Sequence, residues 1–291
     1  MYGTTTQIEL KNFLEICSVD TDGRKQEIKA TWQAAVARFA QLREAESGEP
    51  DRIATRPLPP ADQERAAALR TDASFVNTFS NYPISFEEVE IDRLIASQRS
   101  VHVEYVNHLT EKFNHGIRSV FDFCLSPAQG ASPISVGRTA ANAFTVSSDN
   151  PGLRFLGAFE EPYRPGMLQI ETPGGQAIRV VVLALGFALA TANVYWVGRR
   201  LILNNGFHRL YTLRTLGITH APVVVQQITH PELELAASIS ELPRDYLVQN
   251  ARPALMKDFF DPQLTCTVVQ RGCIKALQVG WGINESMIPR S

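Results

Sequence analysis

The sequence predicts a mixed α/β (α+β) protein. Three observations carry that reading. Residues 23–46 recur with helical spacing. Residues 177–227 read as strand, strand, hairpin, strand, helix, strand. Between them, residues 126–176 are rich in Gly, Pro, Ser and Thr with short apolar runs, as strands and loops are. The 291 residues are 44% hydrophobic and 20% charged, which is ordinary globular composition and enough for one or two domains. The formal net charge is -2. That gives no global basic excess of the kind a dedicated nucleic-acid binder carries.

Taken in order, residues 1–80 read as an N-terminal helical extension. Residues 5–17 predict a short helix with Ile8, Phe13, Leu14 and Cys17 on its apolar side. In the 23–46 helix, Ile28, Trp32, Ala35, Val36, Phe39 and Leu42 form the inward stripe. Residues 47–60 are a linker by composition, with four prolines, and Pro60 and Asp62 start a helix that runs to about Arg70. A core follows over 81–230, with an insertion at about 120–176. In it Val89, Ile91 and Leu94 suggest a short strand and turn, and 102–114 a helix with Val106, Leu109 and Phe113 inward. Residues 231–291 predict C-terminal helices, with Phe259 and Phe260 in the core, and a final β-hairpin.

The N-terminus lacks the basic and apolar regions of a signal peptide, and the four cysteines have no metal-finger spacing. A cytoplasmic protein with reduced thiols is expected. Cys266 and Cys273 would face each other across a hairpin turning at Gln270-Arg271-Gly272. "VVVLALGFALATANVYWV" (180–197) is long enough to raise a membrane span. Two buried strands joined near Ala192-Asn193 fit it as well, and no membrane partner is expected.

The stretch that carries chemistry is "LILNNGFHRLYTLRTLGITHAPVVV" (201–225). A strand ends at Leu203. Asn204, Asn205 and Gly206 tolerate positive φ, and a helix starts near Phe207. Gly217 falls at its C-cap. The first N–H groups of that helix lack partners and favour an anion. His208 and Arg209 add donors and positive charge at the same end, and Gly206 leaves the approach open. The alternative is a plain turn with two surface residues.

This stretch resembles the core motif of the ParB/sulfiredoxin-like superfamily: a strand, Gly-x-His-Arg or Gly-x-Arg-Arg, a short helix, and a strand beginning near Pro-Val. "EVEIDRLIASQRSVHVEYVNHLTEKF" upstream is similar to the family's first box. The resemblance implies a small mixed sheet and a nucleotide, ATP or CTP, with its phosphates at Asn204, Asn205, Gly206, His208 and Arg209. Gln98 and Arg99 are further candidates. Arg199 and Arg200, read as a hairpin tip, are either surface charge or a clamp on the ligand, with Arg200 the binding candidate. In its enzymatic form the resemblance implies Mg²⁺-dependent hydrolysis or phosphoryl transfer. Glu104 and Glu111, on one flank of the 102–114 helix with His108 and His115, are the carboxylate candidates if the two boxes meet; a solvated face is the alternative. The other expectation is a non-enzymatic DNA-binding or assembly protein that uses the core as a switch or scaffold. Phe207 stands where sulfiredoxin has its catalytic cysteine, which argues against sulfinic-acid reduction. Residues 231–260 are neither basic nor of helix-turn-helix type, which argues against chromosome partitioning. Some family members are associated with nuclease activity, but no acidic residue adjoins 201–217 to serve as its base.

Overall fold

The computed structural model describes residues 3–16, 25–117, 119–126, 133–150, 152–164, 166, 178–187, 189, 191–268 and 274–287. In chain order the elements are α1 (Gln7–Ile16), α2 (Lys25–Ala45), β1 (Thr55–Pro57), α3 (Pro60–Leu69), α4 (Ala73–Thr78), β2 (Ile84–Glu90) and β3 (Ile95–Ala96). Next come α5 (Val103–Gly116), α6 (Val120–Leu125), β4 (Ser135–Ala140), β5 (Ala143–Ser148), β6 (Leu153–Pro162) and β7 (Arg179–Phe187). Then follow β8 (Asn193–Val197), β9 (Arg200–Asn205), α7 (Phe207–Thr215), β10 (His220–Ile228), α8 (Pro231–Glu234), β11 (Ser238–Ile239), β12 (Leu242–Pro243), α9 (Arg244–Gln249) and β13 (Lys275–Gly280). The chain is a mixed α/β protein, with one six-stranded mixed sheet and smaller antiparallel sheets.

The chain divides into two units. The first comprises residues 1–128 and 189–271, the second 129–188 and 272–291. The six-stranded sheet, in order β1-β2-β10-β8-β9-β3, belongs to the first. β10 runs parallel to β8, β3 runs parallel to β9, and the other pairs are antiparallel. Along β9 the side chains alternate. Leu201 and Leu203 join a core with Leu109, Phe121, Leu210 and Leu213. Ile202 joins another with Ile228, Leu242, Leu247 and Leu255. The sheet therefore has α5, α6 and α7 on one face and the 228–255 segment on the other.

The first unit is tied to its C-terminal segment by Arg252, which is fully buried. Its guanidinium donates to Asp258, at 2.7 Å to Oδ1, and to Glu46 at 2.7 Å. Burial opposes a charged guanidinium, but these two carboxylates outweigh it and raise the Arg252 pKa.

Several expectations change. The 47–60 segment is not all linker, because Thr55–Pro57 pairs with Val89–Glu87 as the edge strand β1. On α1 it is Leu10 that is buried, whereas Ile8 points outward. Phe13 and Leu14, as side chains, and Cys17 lie outside the described residues. Val36 is exposed on α2. The 180–197 run forms β7 and β8, but in different units, and β7 is not a buried strand. No helix among the described residues is long and apolar enough to cross a membrane. The C-terminal hairpin is replaced by a longer-range pairing: β13 is antiparallel to β5, and residues 265–268 are not strand. Cys273 and the apolar run at 167–170 lie outside the described residues.

The second unit holds the sheet β13-β5-β4 and the two-stranded sheet β6-β7. Val146 of β5 is buried and pairs with Leu277 and Val136 on either side.

Candidate functional site

The turn from β9 into α7 is fixed by its asparagines. Asn205 accepts the Gly206 N–H through Oδ1 at 2.9 Å and donates to the Leu189 carbonyl at 3.3 Å. Asn204 donates to Asn193 Oδ1 at 2.8 Å, and the same oxygen accepts from Gln226 at 3.0 Å. Both asparagines thus shape the turn through their side chains. Gly206 has φ +101°, the conformation glycine tolerates best. A Cβ there would lie 2.8 Å from Ala192 Cβ and 2.9 Å from Ala192 Cα. This corrects the expectation that the glycine clears a path for a ligand: the space is filled by Ala192.

α7 then begins with Phe207, whose ring is in the core. Leu210 N–H bonds the Gly206 carbonyl, so the N–H groups of residues 207–209 have no acceptor within the helix. At the other end Gly217, at φ +82°, closes the helix: its N–H bonds Arg214 O, and Ile218 N–H bonds Leu213 O. That is a Schellman cap. β3 lies beside β9 and parallel to it, and each leads into a helix, β3 through residues 97–102 into α5. Two helix starts therefore rise from the same edge of the sheet, where anions are bound in many α/β folds.

His208 links the two starts. Its Nε2 accepts the backbone N–H of His102, the N-cap residue of α5, at 3.0 Å. The Tyr105 ring meets His208 edge-on at 5.2 Å. Burial, and secondarily the His102 charge, push the His208 pKa down to about 4. An imidazole that accepts through Nε2 carries its proton on Nδ1. His208 is therefore neutral at pH 7 and supplies no charge to the turn, contrary to expectation.

Arg209 is different. Its Nη1 donates to the Cys124 carbonyl at 3.2 Å, and burial lowers its pKa. Among the described residues no carboxylate pairs with it. The other well-buried arginines do have such partners: Asp51 for Arg200, Glu46 and Asp258 for Arg252. Arg209 therefore brings a positive charge to the end of α7 where, among the described residues, the N–H groups of residues 207–209 have no acceptor within the helix.

The remaining candidates separate. Arg200 is not at a hairpin tip. The turn is Gly198-Arg199, and Arg200 opens β9 in a buried position. It holds Asp51 with Nε at 2.7 Å and Nη2 at 3.3 Å, and donates to the Leu247 and Asn250 carbonyls. Its donors are spent on the fold, which removes it as a ligand clamp. Gln98 donates to Ser100 O. Arg99 pairs with Glu9 of α1 at 2.8 Å, and its N–H donates to Glu241. Glu104 lies in the first turn of α5 and Glu111 two turns on, both exposed. The two sequence boxes do meet, through His102 and His208, yet no three His, Cys, Asp or Glu among the described residues gather as a metal site. His102, Tyr105, Cys124 and Ala192 are the residues that sequence reasoning missed. Only the first two carried any signal, by standing at the start of a predicted helix.

No protein-family model, curated protein or solved structure matches this chain.

Proposed function

We propose that the first turn of α7 binds the phosphate of a nucleotide, ATP or CTP, in a divergent ParB/sulfiredoxin-like core. Arg209 carries the reading: among the described residues it is a desolvated guanidinium without a carboxylate, placed at a helix start where the N–H groups of residues 207–209 have no acceptor within the helix. The sequence resemblance over 201–225 supports the same position. In this arrangement the N–H groups of residues 207–209 orient the phosphate and Arg209 supplies the charge. Neutral His208 acts by holding the start of α5 against α7. The described carboxylates do not fit a protein-held Mg²⁺ site, so the proposal is of binding, and no hydrolytic step is assigned to Glu104 or Glu111.

A melting-temperature series with ATP, CTP, ADP and GTP, with and without Mg²⁺, tests the reading. A ligand at a hundred times its Kd stabilises the fold by about 2.7 kcal/mol. At least one nucleotide raises the melting temperature of the native chain, and Arg209→Met loses that rise. No rise with any nucleotide, or an unchanged rise in the variant, overturns the proposal. Retardation of DNA with steep salt dependence, in place of nucleotide binding, favours the DNA-binding alternative.

A further inference from the structure

The β6–β7 hairpin of the second unit is apolar on both faces. Phe155, Leu156, Phe159, Val181, Val182 and Leu183 are each more than a third exposed, Val181 to 71%. Val181 and Leu183 lie on one face of β7, Val180 and Val182 on the other. From Val180 to Leu185 β7 has no charge, proline or glycine. Among the described residues it pairs only with β6, in a register that reaches from Leu153↔Phe187 to Pro162↔Arg179. Among the described residues its other edge has no strand paired to it, and its sequence from Val180 to Leu185 has none of the usual guards, lysine or proline. A lone two-stranded hairpin is marginal in water. Covering one face would leave the other wet, whereas a strand added at the edge gives both faces new neighbours.

We propose that β7 is a dimerisation edge and that it pairs with β7 of a second copy of this chain, antiparallel about a two-fold axis at Leu183. Such pairing is self-complementary by symmetry. Leu183 is the midpoint of Arg179–Phe187, so this axis gives full overlap of the two strands. It sets Val181 opposite Leu185 of the second copy and Val182 opposite Ala184, and it keeps the two Arg179 side chains at opposite ends, where like charges do not face. Such pairing gives the exposed Val181, Val182 and Leu183 cross-strand neighbours on both faces of β7. The inference is independent of the nucleotide proposal, because it rests on the second unit alone.

Sedimentation of the full chain tests it, with Leu183→Lys and Leu183→Glu as variants. The native chain sediments at the mass of two chains at about 10 μM. Each variant alone places like charges across the axis and lowers the association constant by at least tenfold. Their equimolar mixture, which sets Lys opposite Glu, regains the two-chain mass. That rescue separates a lost contact from a failed fold, and unchanged far-UV circular dichroism checks the same point. A native chain that is monomeric, variants that dimerise as the native chain does, or a mixture that stays monomeric each overturn the proposal. So does a native monomer that co-floats with phosphatidylcholine–phosphatidylglycerol vesicles, since the hairpin would then be covered by lipid.

Discussion

His102 and His208 are joined by one hydrogen bond in which an imidazole nitrogen accepts a backbone N–H at 3.0 Å. The bond exists only while His208 is unprotonated at Nε2. The folded pKa is about 4, against 6.5 for the ordinary side chain. Above pH 6.5 both the folded and unfolded chains hold His208 neutral, and the group adds no pH dependence. As the pH falls from 6.5 to 4 the unfolded chain takes up the proton and the folded chain does not, so stability declines. The loss from this group approaches about 3 kcal/mol by pH 4. Urea unfolding at a series of pH values measures it. His208→Gln, which keeps an uncharged acceptor, removes this component of the slope; an unchanged slope would mean that another group is responsible.

Gly206 and Ala192 form a second close pair. Gly206→Ala adds a methyl 2.8 Å from Ala192 Cβ at a φ of +101°. Strain and overpacking together cost about 3 kcal/mol or more. In an Ala192→Gly background the same substitution costs less, because the contact with the Ala192 methyl is relieved while the 2.9 Å approach to the residue 192 Cα and the strained φ remain. Thermal or chemical unfolding of the four chains in the cycle gives the coupling. Strict additivity would show that the Ala192 methyl plays no part and that the φ and the backbone contact account for the effect.

Arg200 and Arg209 diverge when each is changed to Met. Arg200→Met strands Asp51 and two carbonyls, and lowers stability by about 2–3 kcal/mol. Arg209→Met removes a desolvated cation that no carboxylate offsets among the described residues, and changes stability by less than about 1 kcal/mol. Denaturant titrations rank the two; the reverse order would show that Arg209 is the structural arginine.

Two described cysteines differ in access. Cys124 is buried, and burial pushes its thiol up to about 12. At pH 8 its thiolate fraction is then about one in ten thousand. Cys266 is partly exposed. Iodoacetamide therefore labels Cys266 in the native chain and reaches Cys124 only after unfolding. Peptide mapping by mass spectrometry reads the order, and early labelling of Cys124 would contradict its burial.

What the sequence made legible was local. The Ile28–Leu42 stripe marks α2, and Asn205-Gly206 and Gly217 mark the two ends of α7, because cap and turn chemistry acts over a few residues. The pairing of Arg200 with Asp51 was not legible, since the residues are 149 apart and nothing near Arg200 announces a carboxylate. The role of Gly206 was half legible. Its positive φ follows from Asn-Gly at a turn, but its contact with Ala192 depends on which strand lies beside β9. β7 was read as buried because apolar composition reports what a strand prefers to touch, not whether the folded chain provides it. His208 looked cationic because sequence gives residue type, while its charge is set by burial.

The order β1-β2-β10-β8-β9-β3 has a consequence for synthesis. β3 leaves the ribosome about a hundred residues before β9, its neighbour in the sheet. At 5–20 residues per second that is on the order of 5–20 s. During that interval β2 and β3 have neither β10 nor β9 to pair with, and the second unit's β4–β7 are translated in between. Arg252, which binds Glu46 across 206 positions, arrives later still. The first unit therefore closes late in translation, after most of the second has emerged.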